Sequence, residues 1–397
     1  MSRLAIVLLF TLLSGLTSLK SQEAAEAEIY LITCGPGTET YSIYGHTALR
    51  IIIPSKDSDL VYNWGVFDFS TPNFAWKFAK GRLEYMLGVY PFNNFLQDYF
   101  MEGRWVEEQK INLEQDEIEL LFRLIAENLR PENRKYRYDF FYDNCSSRVR
   151  DLLEKAVGED LLYPPAPDSE KLPSFRDKTG EYQKPYPWLN LGIDLLMGSP
   201  GDKKASLRDR MFLPIELQIV FSESKVSRDD RTLNLIGDPV RLLDFGAPSH
   251  RPGFITSPLM VFSLLLIVMI LVTLFLKGKN INLAIDILIF TVFSVLAVLM
   301  LFFNIFTLHQ QMKSNFNIIW LNPFIILCLV TLIFRLRSVL WFRLTFCLLS
   351  LFLVTSLFLP QYINPAFFPL MIILHIRSLV RSGFKWNPFN LPHLTQL

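Results

Sequence analysis

Charge is scarce in this sequence. Only 19% of its 397 residues are charged, against 51% hydrophobic, which is too apolar on average for a simple soluble enzyme. The shortage is local. Residues 1–250 read as ordinary globular sequence behind a short leader, whereas from Pro252 onward long stretches contain no Asp, Glu, Lys or Arg. An excess of either sign is missing too: a net charge of +1 provides no basic face to neutralise phosphates, which argues against a nucleic-acid role. Cysteine and histidine are rare. Ahead of the apolar region stand only Cys34, Cys145, His46 and His250, so any thiol nucleophile and imidazole base come from a very short list. No cofactor and no metal are expected.

What is present begins with Met1-Ser2-Arg3 and the apolar run Leu4–Leu16, a positive tip and short core that resemble a secretory signal peptide over residues 1–22. An uncleaved anchor is the alternative reading. The apolar third supports five membrane spans, at about 257–276, 281–303, 317–334, 338–359 and 361–378, since ~20 helical residues rising ~1.5 Å each cross a ~30 Å hydrocarbon core. With residues 28–250 exported, Lys277, Lys279, Arg335, Arg337, Arg377, Arg381 and Lys385 fall inside, while the outer loops carry only Lys313. Basic residues concentrate on the inner side of such proteins, so the tail 379–397 is expected in the cytoplasm. Asp286, near the inner end of the second span, is expected to pair with Lys279 or to reach the interface. Cys328 and Cys347 lie within spans and read as packing residues.

Between leader and spans, Ile29–Cys34, Tyr44–Ile53 and Leu60–Gly65 read as strands, the last two joined by the polar turn Pro54–Asp59. Residues 66–105, rich in aromatics and turn signals, predict short strands and loops. Leu113–Leu129 predicts a helix ended by Arg130-Pro131. A second helix follows Cys145: Val149, Leu152, Leu153, Ala156 and Val157 share its face, Asp143 or Asn144 is the N-cap, and Gly158 stops it. Residues 163–187 read as extended surface chain, with helices at Trp188–Met197 and within Ser206–Val226. The catalytic unit is therefore expected over 28–175 and a helical extension over 176–250.

Cys145 is the expected nucleophile. A cysteine at a helix N-terminus feels the positive end of the dipole, which favours the reactive thiolate. His46, at the start of its strand, is the expected base, Asn63 on the following strand its orienter, and Asp68 stands behind Asn63. Backbone N–H groups at Cys145 and Ser146 would contribute to an oxyanion hole. A helix-borne cysteine and strand-borne histidine resemble the papain-like arrangement, with the histidine first in the chain as in circularly permuted members. Two bland readings stand beside these: a Cys34–Cys145 disulfide and a satisfied buried histidine. Arg50, on the same strand face as His46, reads as an anion ligand or a surface ion pair. A polar cluster at His309, Gln310, Gln311, Asn315, Asn317, Trp320 and Asn322-Pro323 reads either as a headgroup or substrate site or as interfacial anchors.

Taken together, Tyr44-Gly45-His46-Thr47-Ala48-Leu49-Arg50, Asn144-Cys145-Ser146, Gly192–Pro200, Phe212-Leu213-Pro214 and the five spans resemble the Lnb family of bacterial lipoprotein N-acyltransferases over nearly the whole chain. The resemblance implies an α+β permuted papain-like thiol-enzyme domain in the periplasm, followed by an all-α five-helix transmembrane domain in the inner membrane. It also implies transfer of a fatty acyl chain to the amino group of the lipidated N-terminal cysteine of exported, diacylated lipoproteins. The acyl donor is a phospholipid or a chain already on the lipoprotein. Cys145 and His46 take the catalytic roles, whereas Asn63 rests on strand order. Tyr44, Arg50, Asn144 and Ser146, with His309, Asn315 and Asn317, are the expected substrate contacts. Two other readings remain at this stage, an envelope cysteine peptidase or amidase and a disulfide-bonded scaffold protein.

Overall fold

The structure, a computed structural model, describes residues 26–229, 231–246 and 253–384; the expected signal peptide and the tail beyond residue 384 lie outside them. The chain forms two compact units. Of the described residues, one comprises 26–78, 82–173, 205–229 and 231–246, the other 79–81, 174–204 and 253–384.

The first unit is mixed α and β. Its strands are β1 (Glu28–Cys34), β2 (His46–Ile53), β3 (Ser58–Val66), β4 (Glu84–Pro91), β5 (Val106–Lys110), β6 (Lys135–Arg137), β7 (Leu161–Leu162), β8 (Lys225–Arg228), β9 (Arg231–Asn234) and β10 (Val240–Leu243). Seven make one antiparallel sheet in the order β10-β5-β1-β2-β3-β4-β6, and β7, β8 and β9 make a small second one. β1 and β2 are rich in Ile, Leu and Thr, which suit a pleated surface. Both faces of the large sheet are covered. On one, Leu31, Leu49, Ile51 and Trp64 pack with α3 (Gln115–Leu129), α4 (Cys145–Val157) and the helix Pro214–Glu223. On the other, Ile32, Cys34, Ala48 and Val61 pack with Phe92, Phe95 and Tyr99 of α2 (Phe92–Met101).

The helix at Cys145 forms for the reasons its sequence suggests. Asn144 is the N-cap: its side chain accepts from the Ser147 N–H while the Ser147 hydroxyl accepts from the Asn144 N–H. This capping box satisfies two groups the helix itself cannot reach. Gly158 ends the helix at φ +66°. Val149 and Leu153 are completely buried in the sheet-facing core, each contributing about 1.5–3 kcal/mol. α4 thereby lies across β2 and β3, with Cys145 at its leading edge.

Three stretches differ from expectation. Residues 66–105 hold an eight-residue strand, β4, and two helices, α1 (Phe74–Ala79) and α2, whose apolar faces are masked in the sequence by the many aromatics on every side. Residues 163–187 contain the helix α5 (Phe175–Gln183), opened by a Ser174–Asp177 capping box. The supposed helical extension carries β8, β9 and β10, and β10 pairs with β5; four-residue strands form through their partners, so local periodicity does not announce them.

The second unit is helical and apolar. It contains α5, α6 (Pro187–Leu196), α7 (Pro258–Phe275), α8 (Lys279–Ile305), α9 (Asn317–Trp320), α10 (Phe324–Ile333), α11 (Leu340–Thr355) and α12 (Phe367–Arg381). Each of the five expected spans is helical at least in part. Among the described residues, three segments are long and apolar enough to cross a membrane: Pro258–Phe275, Lys279–Ile305 and Leu340–Phe358. The third expected span is instead split into α9 and α10 ahead of Pro323, a residue that suits a helix start and not its interior.

Polar networks are buried in this unit. The Asp286 carboxylate, which the sequence pointed toward Lys279 or the interface, is held by Arg377 Nε at 2.6 Å and Arg381 Nε at 2.7 Å, and Arg377 also donates to Thr273 Oγ1 at 2.9 Å. Arg377, one of the basic residues that oriented the spans, is completely buried. An isolated charge would be costly in this setting, and two arginines on one carboxylate remove most of that cost. In another network Arg176 donates to Asp194 and Asp202, both at 2.8 Å, and Asn364 Nδ2 donates to the second Asp194 oxygen at 2.8 Å.

Candidate active site

Alternation along β2 sends Leu49 and Ile51 to the α4 face and Ala48 to the α2 face. His46 shares the parity of Ala48, yet as the first residue of the strand it acts electrostatically on Cys145. Gly45 makes that entry: its φ is +82°, and a Cβ there would stand 2.7 Å from the Cys34 carbonyl oxygen. Only glycine adopts that conformation readily.

His46 Nε2–H donates to Asn63 Oδ1 at 2.6 Å. The other ring nitrogen, Nδ1, is left for the Cys145 thiol, whose charge favours the charged imidazole. A cysteine, a histidine and an asparagine from α4, β2 and β3 thus form a chain in which the amide fixes the tautomer of the imidazole that faces sulfur. Thr47 completes the surroundings: its N–H favours the Cys145 thiolate, and its hydroxyl meets that of Ser146 at 2.9 Å. Cys145 keeps 8% of its surface exposed.

The electrostatics favour an ion pair. Burial pushes the Cys145 thiol up, but the His46 charge and the hydrogen bonds from His46, Thr47 and Ser146 outweigh it, and the thiol is lowered to about 7. For His46, burial works against the charged form, while the facing thiolate and the bonds to Cys145 and Asn63 raise the imidazole above its ordinary value. Each group therefore favours the charged form of the other.

The remaining expected site residues take several roles. Asn144 is used by the fold: beyond its cap, Nδ2 donates to the carbonyls of Phe140 and Phe212 at 2.9 and 2.8 Å. Ser146 is fully buried beside the thiol, 3.9 Å from sulfur. Tyr44 packs its ring on Phe140 at 4.8 Å. Arg50 is engaged through all three guanidinium nitrogens, donating to both oxygens of Asp59 and to Glu108, with its guanidinium 3.5 Å over the Phe92 ring; this is the ion-pair reading, with the added aromatic contact. Asp68 does not stand behind Asn63. It caps a local turn through the N–H and hydroxyl of Ser70. Cys34 and Cys145 are both free thiols, so the bridge is not formed.

In the helical unit, Asn315 and Asn317 are buried and direct their amides to the Leu195 carbonyl at 2.8 and 3.2 Å. They cap α6, whose terminal carbonyls have no intrahelical partner. Gly192–Pro200 and the 315–317 loop, two separate features of the sequence, are thus the two sides of one joint. His309 begins the short turn Gln310–Met312, its N–H 3.3 Å from Thr307 Oγ1. Sequence reasoning assigned no individual role to Thr47 or Tyr138 near the thiol; Thr47 stood only within the strand motif.

Two family models match the chain: the Lnb N-terminal periplasmic domain over residues 17–172 and the Lnb transmembrane domain over residues 249–385. These matches support the Lnb family. The Lnb periplasmic-domain match contains Cys145, His46 and Asn63, and the Lnb transmembrane match contains the Asp286–Arg377 network and the 315–317 loop. The chain is accordingly a membrane protein with a periplasmic N-terminal domain. No curated protein and no solved structure matches it.

Proposed function

We propose that this protein is a membrane-bound lipoprotein N-acyltransferase working through a Cys145 thioester, in a periplasmic domain of permuted papain-like type, with its C-terminus in the cytoplasm. The observation that carries the reading is the Cys145–His46–Asn63 chain with the thiol lowered to about 7, in a protein whose second part matches a transmembrane domain. In the first half-reaction the Cys145 thiolate attacks the carbonyl of an ester-linked acyl chain, on a phospholipid or on the lipoprotein itself. The N–H groups of Cys145 and Ser146 at the start of α4 receive the developing oxyanion. The alcohol leaves with a proton from the His46 imidazolium, and a thioester remains. In the second, the amino group of the diacylated lipoprotein cysteine attacks the thioester, His46 takes its proton, and the amide is released with the thiolate restored. Water competes at the second step, so the reaction calls for a site that apolar substrates reach more readily than water.

The test is mass spectrometry of a purified lipoprotein from cells carrying only a Cys145→Ser enzyme and no redundant acyltransferase. The expected product has a free α-amine. An N-acylated lipoprotein from that strain would sink the proposal, and a peptide cleavage lost in its place would assign the same residues to a peptidase or amidase.

A further inference from the structure

A continuous file of aromatic rings leads away from the Cys145 thiol. It begins at Gly65, whose φ of +92° coincides with a β-bulge between Asn63 and Val66. A Cβ at Gly65 would stand 3.8 Å from Cys145 Cβ and 4.0 Å from Tyr138 Cε2, so the missing side chain leaves a gap between the reacting residue and the Tyr138 ring. Tyr138 stacks on Tyr85 at 4.4 Å, Tyr85 meets Phe67 at 5.2 Å, and Phe67 meets Phe74 at 5.9 Å and Phe69 at 4.8 Å. Phe74 and Phe78 stack at 6.3 Å. Tyr138, Phe67 and Phe74 are half-buried and Tyr85 is buried at 9%, while the outer end is exposed, 66% at Phe69 and 49% at Phe78, with Trp76 beside them at 55%.

Both ends have the character of a lipid path. Burial keeps the Tyr85 and Tyr138 phenols neutral, raising Tyr85 to about 12 and Tyr138 well above its ordinary value, so no charge interrupts the inner part. The exposed end carries Trp76 and Phe78 with Lys77 on the same short helix, a composition suited to the boundary between hydrocarbon and headgroups. A peptide would need rows of backbone hydrogen-bonding partners, which ring faces do not offer. A hydrocarbon chain needs only apolar area.

We propose that the ring file from Tyr138 through Phe67 to Phe69, Phe74 and Phe78 is the binding track of the acyl chain whose carbonyl reaches Cys145. This rests on Cys145 as the acyl acceptor. The ester carbonyl occupies the gap at Gly65, and the chain lies along the rings toward Trp76.

The experiment uses the full-length protein in detergent micelles with p-nitrophenyl acetate and p-nitrophenyl decanoate, reading acylation of Cys145 by intact-protein mass spectrometry. In the wild type the decanoate acylates faster than the acetate, by about 10-fold or more, because each buried methylene contributes ~0.8 kcal/mol. Phe69→Ser/Trp76→Ser, at exposed positions, and Phe74→Ala, at a half-buried one, are expected to cut that ratio about 10-fold while acetate acylation stays within about 2-fold. An unchanged ratio in both variants, with acetate still reacting, overturns the track and leaves Cys145 as acyl acceptor. No acylation of wild-type Cys145 by either ester overturns both.

Discussion

Two thiols flank His46. Cys34, at the end of β1, is its direct partner across the strand pair, whereas Cys145 comes from the start of α4. Both are buried, yet the Cys34 thiol is pushed up to about 12 and the Cys145 thiol is lowered to about 7. Burial dominates at Cys34, and neither the nearby Arg104 charge nor the Tyr99 hydrogen bond offsets it. At Cys145 the same penalty is overcome by the His46 charge and by the hydrogen-bonding influence of His46, Thr47 and Ser146. Being paired with His46 across a strand is therefore not enough to activate a thiol. The side of the strand end on which the sulfur sits decides it, and Cys34, turned into the α2 face with Phe95 and Tyr99, is packing.

The difference between the thiols breaks most completely in His46→Ala. Without the imidazolium only burial and weaker hydrogen bonds act on Cys145, so its alkylation by iodoacetamide, which follows the thiolate, is expected to rise with pH through a midpoint above 9 in place of about 7. Acyl transfer at neutral pH should fall by about 10³–10⁴-fold. In the wild type the thiolate forms as pH rises through about 7, and the imidazolium, raised above its ordinary value, is lost at higher pH; a bell-shaped rate profile is the expected form.

Asn63→Ala comes next. It removes the partner that holds the ring and favours its charged form, so kcat should fall roughly 100-fold. The alkylation midpoint should move upward by less than in His46→Ala. Gly65→Ala should cost about 1–3 kcal/mol of stability in denaturant titration, because φ is +92°, and should slow acylation by filling the gap at the thiol. Cys34→Ala is the smallest change. It leaves a cavity at one buried sulfur, costs about 1–2 kcal/mol, and should leave the pH midpoint of Cys145 where it was. A shift in that midpoint would show that the two thiols are coupled after all.

The elements around the site were legible where local signals agree. The Asn144 cap, the apolar face through Val149 and Leu153, and Gly158 all point to the same helix, and α4 follows them. The strand through Arg50 was equally plain, with a histidine at its start. What could not be read were relations between strands and helices distant in the chain. Arg50 has the alternation of a site residue, but Asp59, Glu108 and Phe92 take up its guanidinium. Asn315 and Asn317 have the composition of a ligand cluster, but the end of α6 uses their amides. β10 and β4 depend on partners far away in sequence, and Asp286 on arginines near the end of the chain.

The sequence alone determined the two-part plan, because the loss of charge after Pro252 is a one-dimensional property and a membrane selects for it directly. It also determined that Cys145 begins a helix, since capping and periodicity act within a few residues. Tertiary structure decided that Cys145 and not Cys34 meets the imidazole of His46 over Asn63, and that a ring file runs from that thiol to an exposed edge. Both depend on which residues the sheet and its covering helices bring together, and contacts between residues so far apart in the chain leave no local pattern to read.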